Sequence, residues 1–592
     1  MKNEKLDTKR HSLAHIMAAS IQEMFPEAKF GVGPVIEEGF FYDVHLSRPL
    51  TPEDLQAIEK RMREKVKQNL KFERSEMPMD EAVDKFKNMS QDFKVELLND
   101  LKTRGTTAVA DLGDSNLVGS SVNEVSVYKT GTFTDLCRGP HVQQTSEIDP
   151  DSFRLTRVSG AYWRGNQQRE QMQRVYGVAF DTKKELEEYL VRIEEAKKRD
   201  HRKLGRELGL FMFHQWAPGA AFWLPRGTTL YNTLANYMRD VLFPAGYVEV
   251  KAPLIFNKAL WETSGHWAHY RQNMFQILSE DEPMAVKAMN CPGHMLIFGS
   301  EVRSYRDLPL RLHEQTPLHR NEASGVLSGL TRVRQFSQDD AHCFVTPEQI
   351  GEEVEHLIRL VQRVYGDLGL PFAAKLSTMP DEHLGDEATW QQAEAQLKGA
   401  MDRAGITYAI NEKDGAFYGP KIDFDVTDAI GRKWQCATIQ LDYQMPERFG
   451  LKYIGADNAE HTPVVIHRAI FGSFERFMAI LIEHYVGAFP VWLAPVQAMI
   501  IPIADRHADY CKQVKEKLTA AGLRAEIDGS VERMNAKIRN AQMQKIPYML
   551  VVGDREKEQG AVAVRLRTGE DLKTKPLDEF LSIAQEAIKS KK

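Results

Sequence analysis

The chain has 592 residues, more than one hydrophobic core ordinarily holds, so three or four domains are expected. Its 42% apolar content is that of a globular protein, and neither the charged opening MKNEKLDTKRH nor any apolar run, each broken by proline or charge, reads as a signal peptide or a membrane span. Five scattered cysteines (Cys137, Cys291, Cys343, Cys436, Cys511) argue against a disulfide framework and for a reducing cytoplasm, while a net charge of −6 argues against a chain that binds nucleic acid along its whole length.

In chain order, residues 1–181 read as an α+β domain. HSLAHIMAASIQEMF has helical spacing, and FGVGPVIEEGFFYDV reads as strand, turn and strand. His11 and His15 lie four residues apart on one helical face, and TDLCRGPH adds Asp135, Cys137 and His141. By composition the HxxxH and CxxxH pair resembles a zinc site, but Ser12 stands where HExxH has its glutamate, so a metalloprotease would lack its general base. Gly31 and Gly33 do not extend into a GxGxxG fingerprint. Residues 182–208 are charge-rich, with Leu186, Leu190 and Ile193 at helical spacing, and read as one connecting helix.

Residues 209–489 alternate helices and strands. The helical TTLYNTLANYMRDVLF passes through a Gly turn into YVEVKAPLI, where Pro253 suits a strand near a sheet edge. Arg320 and Glu322 in HRNE fall on an alternating stretch that reads as a strand with both side chains on one face. Arginine forks onto phosphate oxygens, and a carboxylate can accept from an exocyclic amine such as that of adenine. With Asp340 and His342 in SQDDAHC and Arg476 in GSFERF, these residues read as an ATP site without a Walker loop. Cys291, His342 and His467 stand 51 and 125 residues apart, so spacing alone does not join them. In residues 490–592, AMIIPI, YMLVVG and AVAVRLR read as strands and ADYCKQVKEKLTAAG as a helix, giving an α/β domain. From Val491 onward 18 Lys and Arg face 14 Asp and Glu, a balance that permits a nucleic-acid surface at this end.

Pro253, the Arg320 region and Arg476, in that order and joined to MNCPGHM and FYGPKIDF, resemble the three signature motifs of class II aminoacyl-tRNA synthetases and closely match the threonyl-tRNA synthetases over nearly the whole chain. The resemblance implies a multidomain α+β and α/β protein: an α+β editing domain, an antiparallel-sheet catalytic domain and an α/β anticodon-binding domain. It implies that Arg320 holds the α-phosphate of ATP, Glu322 the adenine amine and Arg476 the γ-phosphate with help from Arg332, while Phe336 stacks on the base. It further implies one zinc per subunit on Cys291, His342 and His467, binding threonine through its amine and hydroxyl, and Asp340, Tyr418 and Gln440 touching the amino acid. Magnesium would accompany ATP, tRNA would be the second substrate, and a homodimer would form around Pro253.

Zinc that ligates a hydroxyl rejects valine, but serine lacks only a methyl group, worth roughly 1 to 3 kcal/mol. A second sieve is therefore expected. The resemblance places it at His11, His15, Asp135, Cys137 and His141 as a pocket that hydrolyses Ser-tRNA without an obligatory metal; a structural zinc site is the alternative. Glu556 and Arg565, on a strand and its neighbouring turn, match positions implicated in reading the anticodon. The early position of His11 departs from the longer bacterial form, in which a small ubiquitin-like domain often precedes this one.

Overall fold

The computed structural model describes residues 4–104, 123–166, 168–279, 281–428 and 430–591. The chain divides into two compact units, Met1–Glu194 and Glu195–Lys592.

In the first unit the helix Glu4–Met24 is buried from Leu13 to Ile21. Its Ala and Ser positions let it lie close against an antiparallel sheet, ordered Lys29–Phe30, Gly39–His45, Gln171–Ala179, Phe153–Tyr162, with Val35–Ile36 also paired to the second of these. Leu13, Ile16 and Met17 share a core there with Phe30, Phe40, Tyr42, Phe153 and Val175. The helix Pro52–Lys67 starts at a capping box in which Thr51 and Asp54 satisfy each other's backbone amides, worth about 1 kcal/mol. A second antiparallel sheet, Phe72–Pro78, Glu124–Thr130 and Phe133–Leu136, carries Asp135, and the helix Asp92–Arg104 lies beside the first sheet's edge.

The expected single connecting helix is two helices, Lys183–Arg199 and His201–Glu207. The break comes at Asp200, whose carboxylate accepts from the Arg202 amide at 2.8 Å and so caps a new helix.

The second unit is built on an eight-stranded sheet in the order Tyr247–Glu249, Leu310–Glu314, Asp340–Val345, Val464–Ala469, Lys433–Asp442, Lys421–Thr427, Phe372–Ser377, Tyr408–Asn411. Its pairs are antiparallel except at the two edges. Side chains alternate across such a sheet. Ala341, Cys343, Val345, Ile439, Leu441, Val464 and Ile466 point into a core shared with the helices Pro225–Leu242, Ile350–Asp367 and Phe474–His484. The opposite parity carries Asp340, His342, Gln440, Asp442 and His467, covered in part by the helix Cys291–Gly299. This is the antiparallel sheet that the resemblance implies for the catalytic domain. Beyond it a five-stranded sheet, Ala525–Ile527, Ala498–Pro502, Tyr548–Val552, Ala561–Leu566, Asp571–Pro576, forms the α/β end of the chain.

Three local expectations are corrected. YVEVKAPLI is two short strands, Tyr247–Glu249 and Ile255–Asn257; the first is a sheet edge, but Pro253 lies between them, outside either ladder. Arg320 and Glu322 do not share a strand: the strand ends at His319, and the Glu322 amide donates back to the Arg320 carbonyl at 2.9 Å in a tight turn. Glu556 lies on the short helix Asp554–Glu558 rather than in a turn. Among the described residues no helix is long and apolar enough to cross a membrane, and all five cysteines are free.

Candidate functional site

On the open face of the large sheet, His342 and His467 are direct cross-strand partners, as are Gln440 and His467. Cys291 opens its helix beside them, and the sulfur and ring nitrogens of Cys291, His342 and His467 all lie within 4.8 Å of one another.

Hydrogen bonds fix both rings. Lys287 Nζ and His294 Nε2 reach Glu314 at 2.8 and 3.1 Å, so His294 donates through Nε2 and its Nδ1 accepts from His342 Nδ1 at 2.8 Å. His467 donates through Nε2 to Asp442 at 2.9 Å. In this bonding pattern His342 Nε2 and His467 Nδ1 face each other at 2.9 Å, each as an acceptor. Burial pushes His342 well below the ordinary histidine range, with His467 and His294 acting the same way, and lifts the Cys291 thiol well above its own. Two lone pairs that close repel unless a cation lies against both, and the neighbouring Cys291 sulfur, able to give up its proton to a metal, completes a three-donor set. The donors thus fit a divalent ion of the zinc type with a coordination position open to a ligand.

Around this set, Asp340 Oδ2 accepts from Asn290 at 3.0 Å and Tyr418 donates to Gln440 at 3.2 Å. Burial raises the Asp340 carboxyl.

Arg476 sits in the first turn of a helix capped by Ser473 and donates to the Thr331 carbonyl at 3.2 Å. Burial lowers this guanidinium from its ordinary value, and the charges of Arg320 and Arg332 push the same way. Three arginines thus lie near enough to act on one another, as a polyanion site requires. Arg320 lies 5.0 Å from the centre of the Phe336 ring, and its Nε is a buried donor with no partner among the described residues. Glu322 is paired with Arg332 at 2.9 Å.

In the first unit, His11, His15, Cys137 and His141 likewise converge within 4.8 Å, beside a cavity of about 100 Å³ that His11, His15, Tyr42, Lys94, Asp135 and Cys137 help to line. Ser12 Oγ donates to the Thr8 carbonyl at 2.8 Å and accepts from the Val142 amide at 3.0 Å. With its proton spent, it accepts from His141 Nδ1 at 3.2 Å and leaves His141 Nε2 bare, 3.3 Å from Cys137 Sγ. Cys137 also lies 3.3 Å from His11 Nε2. Burial holds all three histidines below their ordinary range and pushes Cys137 up to about 12, so these groups are neutral near pH 7. Asp135 beside them is paired with Lys94 at 2.6 Å and hydrogen-bonded by Tyr42.

The polar partners that the sequence did not reveal are Tyr42 and Lys94 here, and His294, Glu314, Asp442 and His266 in the second unit. His266 is buried with Nε2 unpartnered among the described residues, its value lowered to about 4 by burial and then by His467. Lone polar residues in ordinary helices or strands carry no local signal; only the HxxxH spacing did. In the C-terminal sheet Arg565 is exposed, but Glu556 is buried and accepts from the Gly553 amide and Thr574 hydroxyl, both at 3.1 Å.

The chain matches family models for the tRNA synthetase class II core domain (G, H, P, S and T) over residues 275–485, an anticodon binding domain over 497–587, and the threonyl and alanyl tRNA synthetase second additional domain over 125–176. It is 51% identical to a threonine–tRNA ligase of Myxococcus xanthus, over 99% of this chain and 89% of that one, and 52% identical to one of Symbiobacterium thermophilum, over 98% and 86%. A solved structure described as the RNA binding domain of threonyl-tRNA synthetase from Cryptosporidium parvum superposes with a TM-score of 0.64 at 45% identity, covering 66% of this chain and 98% of that one. The sheet with its paired histidines, the arginine cluster and the histidine–cysteine pocket thus occur in a chain that, by these likenesses, belongs to the threonine–tRNA ligase family.

Proposed function

We propose that the chain joins threonine to tRNA in two steps at the large sheet and removes misattached serine in the N-terminal pocket. The observation that carries the reading is the convergence of Cys291, His342 and His467, with His342 Nε2 and His467 Nδ1 facing each other at 2.9 Å, near a cluster of three arginines. Zinc held by these three residues would supply a Lewis-acid anchor for the amine and hydroxyl of threonine. Asp340, Tyr418 and Gln440 line the same face and would fix the amino acid's orientation.

Arg320 would hold the α-phosphate and Arg476 the γ-phosphate, with magnesium accompanying ATP and Phe336 under the base. As the threonine carboxylate attacks the α-phosphorus and pyrophosphate leaves, these fixed charges stabilise the developing negative charge without a protein nucleophile. The Arg332–Glu322 pair is half in solvent and worth at most about 1 kcal/mol, so ATP can part it, Arg332 turning to phosphate and Glu322 to the adenine amine. The terminal ribose hydroxyl of tRNA then displaces AMP from the adenylate.

In the N-terminal pocket, bare and neutral histidine nitrogens beside the Asp135–Lys94 pair suit positioning of a water against a seryl ester. Arg565 offers an exposed cation for anticodon bases. Glu556 would read a base only after giving up its two internal partners. The family pattern supports domains at 1–181, 209–489 and 490–592 joined through 182–208, a homodimer and a cytoplasmic setting. Exposed Val248, Leu254 and Ile255 flank Pro253 and form an apolar strip suited to a second copy.

ATP–pyrophosphate exchange with each amino acid in turn tests the reading. Threonine should support exchange, serine weakly and valine not at all; exchange with proline alone, or with none, would overturn it.

A further inference from the structure

His201 stands at the start of the second connecting helix, 4% exposed, and belongs to none of the sites above. Asp200, His201 and Glu483 bring ligand atoms together as a metal site would. Their atoms are already spent. Asp200 accepts from Arg202, and Glu483 Oε1 accepts from both His201 Nδ1 at 2.7 Å and the His201 amide at 3.2 Å. The other Glu483 oxygen accepts from Arg432. A donating Nδ1 leaves His201 Nε2 as a bare acceptor, and it takes the Leu330 amide at 3.0 Å.

Leu330 is the middle of a five-residue turn closed by hydrogen bonds between Ser328 and Arg332 in both directions. That turn is the far end of the loop that begins at Arg320 and Glu322 and returns through Arg332. On its other side the Thr331 carbonyl accepts from Arg476. Arg476 and Glu483 lie on one helix, Phe474–His484, seven residues apart and hence on one face. One rigid helix therefore grips the turn twice, directly through Arg476 and through Glu483 acting on His201. Gly329 fits this grip closely: its φ is +49°, and a Cβ there would lie 2.3 Å from His201 Nε2.

We propose that His201 is a positioning residue for ATP: by accepting the Leu330 amide it holds the loop bearing Arg320, Glu322 and Arg332 in register with Arg476. It touches no reacting atom. A loop left free would have to be ordered by ATP at each binding event, so the loss falls on nucleotide affinity and spares the threonine side of the site. The inference rests on the ATP reading of these arginines given above.

The test compares His201→Leu, His201→Gln and Gly329→Ala in the full-length protein. ATP and threonine are varied separately in pyrophosphate exchange, ATP binding is measured by calorimetry in magnesium buffer, and melting is followed. His201→Leu should raise the ATP KM and Kd by roughly 5- to 30-fold, the cost of one buried amide losing its acceptor, with the threonine KM within about twofold. His201→Gln places an amide oxygen near the Nε2 position and should restore most of the ATP affinity. Gly329→Ala pushes the turn off His201 and should mimic the leucine variant; it decides the matter alone if His201→Leu fails to fold. A folded His201→Leu with wild-type ATP affinity, or parallel losses for ATP and threonine, would overturn the inference. Wild-type protein that binds ATP but exchanges with another amino acid would instead overturn the threonine reading, leaving the calorimetric comparison valid.

Discussion

Replacing Cys291 with Ser exchanges a soft thiolate for a poorer oxygen donor in a set of only three. Metal retention should then fall by more than the roughly 10- to 100-fold that loss of an outer partner costs, and threonine-dependent exchange should fall with it. Metal analysis alongside exchange checks both; a zinc-free variant with full activity would remove the metal from the reaction. At the other pocket, His11→Ala with His15→Ala should leave Thr-tRNA synthesis intact while Ser-tRNA accumulates, because the missing methyl group cannot be recognised strongly in the first selection. Deacylation of preformed Ser-tRNA is the measurement, and a wild-type rate in the double variant would place editing elsewhere. The same histidines set a pH dependence. His11, His15 and His141 have folded values below their unfolded value of about 6.5, so the unfolded chain binds more protons in acid. Their contribution to stability is complete above that pH and is lost as pH falls below it, by up to roughly 1.4 kcal/mol per pH unit for each residue. Calorimetric melting from pH 7 to 5 should show a decline that is shallower when His11 and His15 are both Asn.

At the scale of elements, the strand Ala561–Leu566 and the helix Asp554–Glu558 separate two residues that the sequence pairs as anticodon readers. Arg565→Ala should raise the tRNA KM by roughly 5- to 150-fold while pyrophosphate exchange stays unchanged. Equal loss of both activities would make Arg565 a residue of the fold. Much at this scale is legible from local pattern. The helix Glu4–Met24 follows from HSLAHIMAASIQEM, the strands Ala498–Pro502 and Tyr548–Val552 from short β-rich runs, and the shared face of His11 and His15 from helical geometry. What escapes local pattern is set by distant partners. Asp200 breaks the connecting helix because it can cap a new one, and Arg320 leaves its ladder where the Asn321 amide turns to the Asn273 carbonyl at 2.9 Å. Lys94 becomes part of a pocket only because Asp135 and Tyr42 are folded against it.

For the molecule as a whole, the exposed Val248, Leu254 and Ile255 around Pro253 are the side chains proposed to meet a second copy. Leu254→Asp with Ile255→Asp should halve the mass found by sedimentation equilibrium, and a wild-type protein that sediments as a monomer at micromolar concentration would dismiss the homodimer.

His342 and His467 are also neighbours across two strands, with Gln440 on the next strand opposite His467. Because the side-chain period of a strand is two, inserting or deleting one residue in Asp340–Val345 or Val464–Ala469 would turn His342 or His467 into the helix-covered core. The same holds for Lys433–Asp442, which carries Gln440 and Asp442, whereas the connections between the strands are under no such constraint. Evolutionary length variation, and grafted domains in an engineered derivative, therefore have room in the intervening loops, while these strands tolerate exchange of residues but not a change in their count.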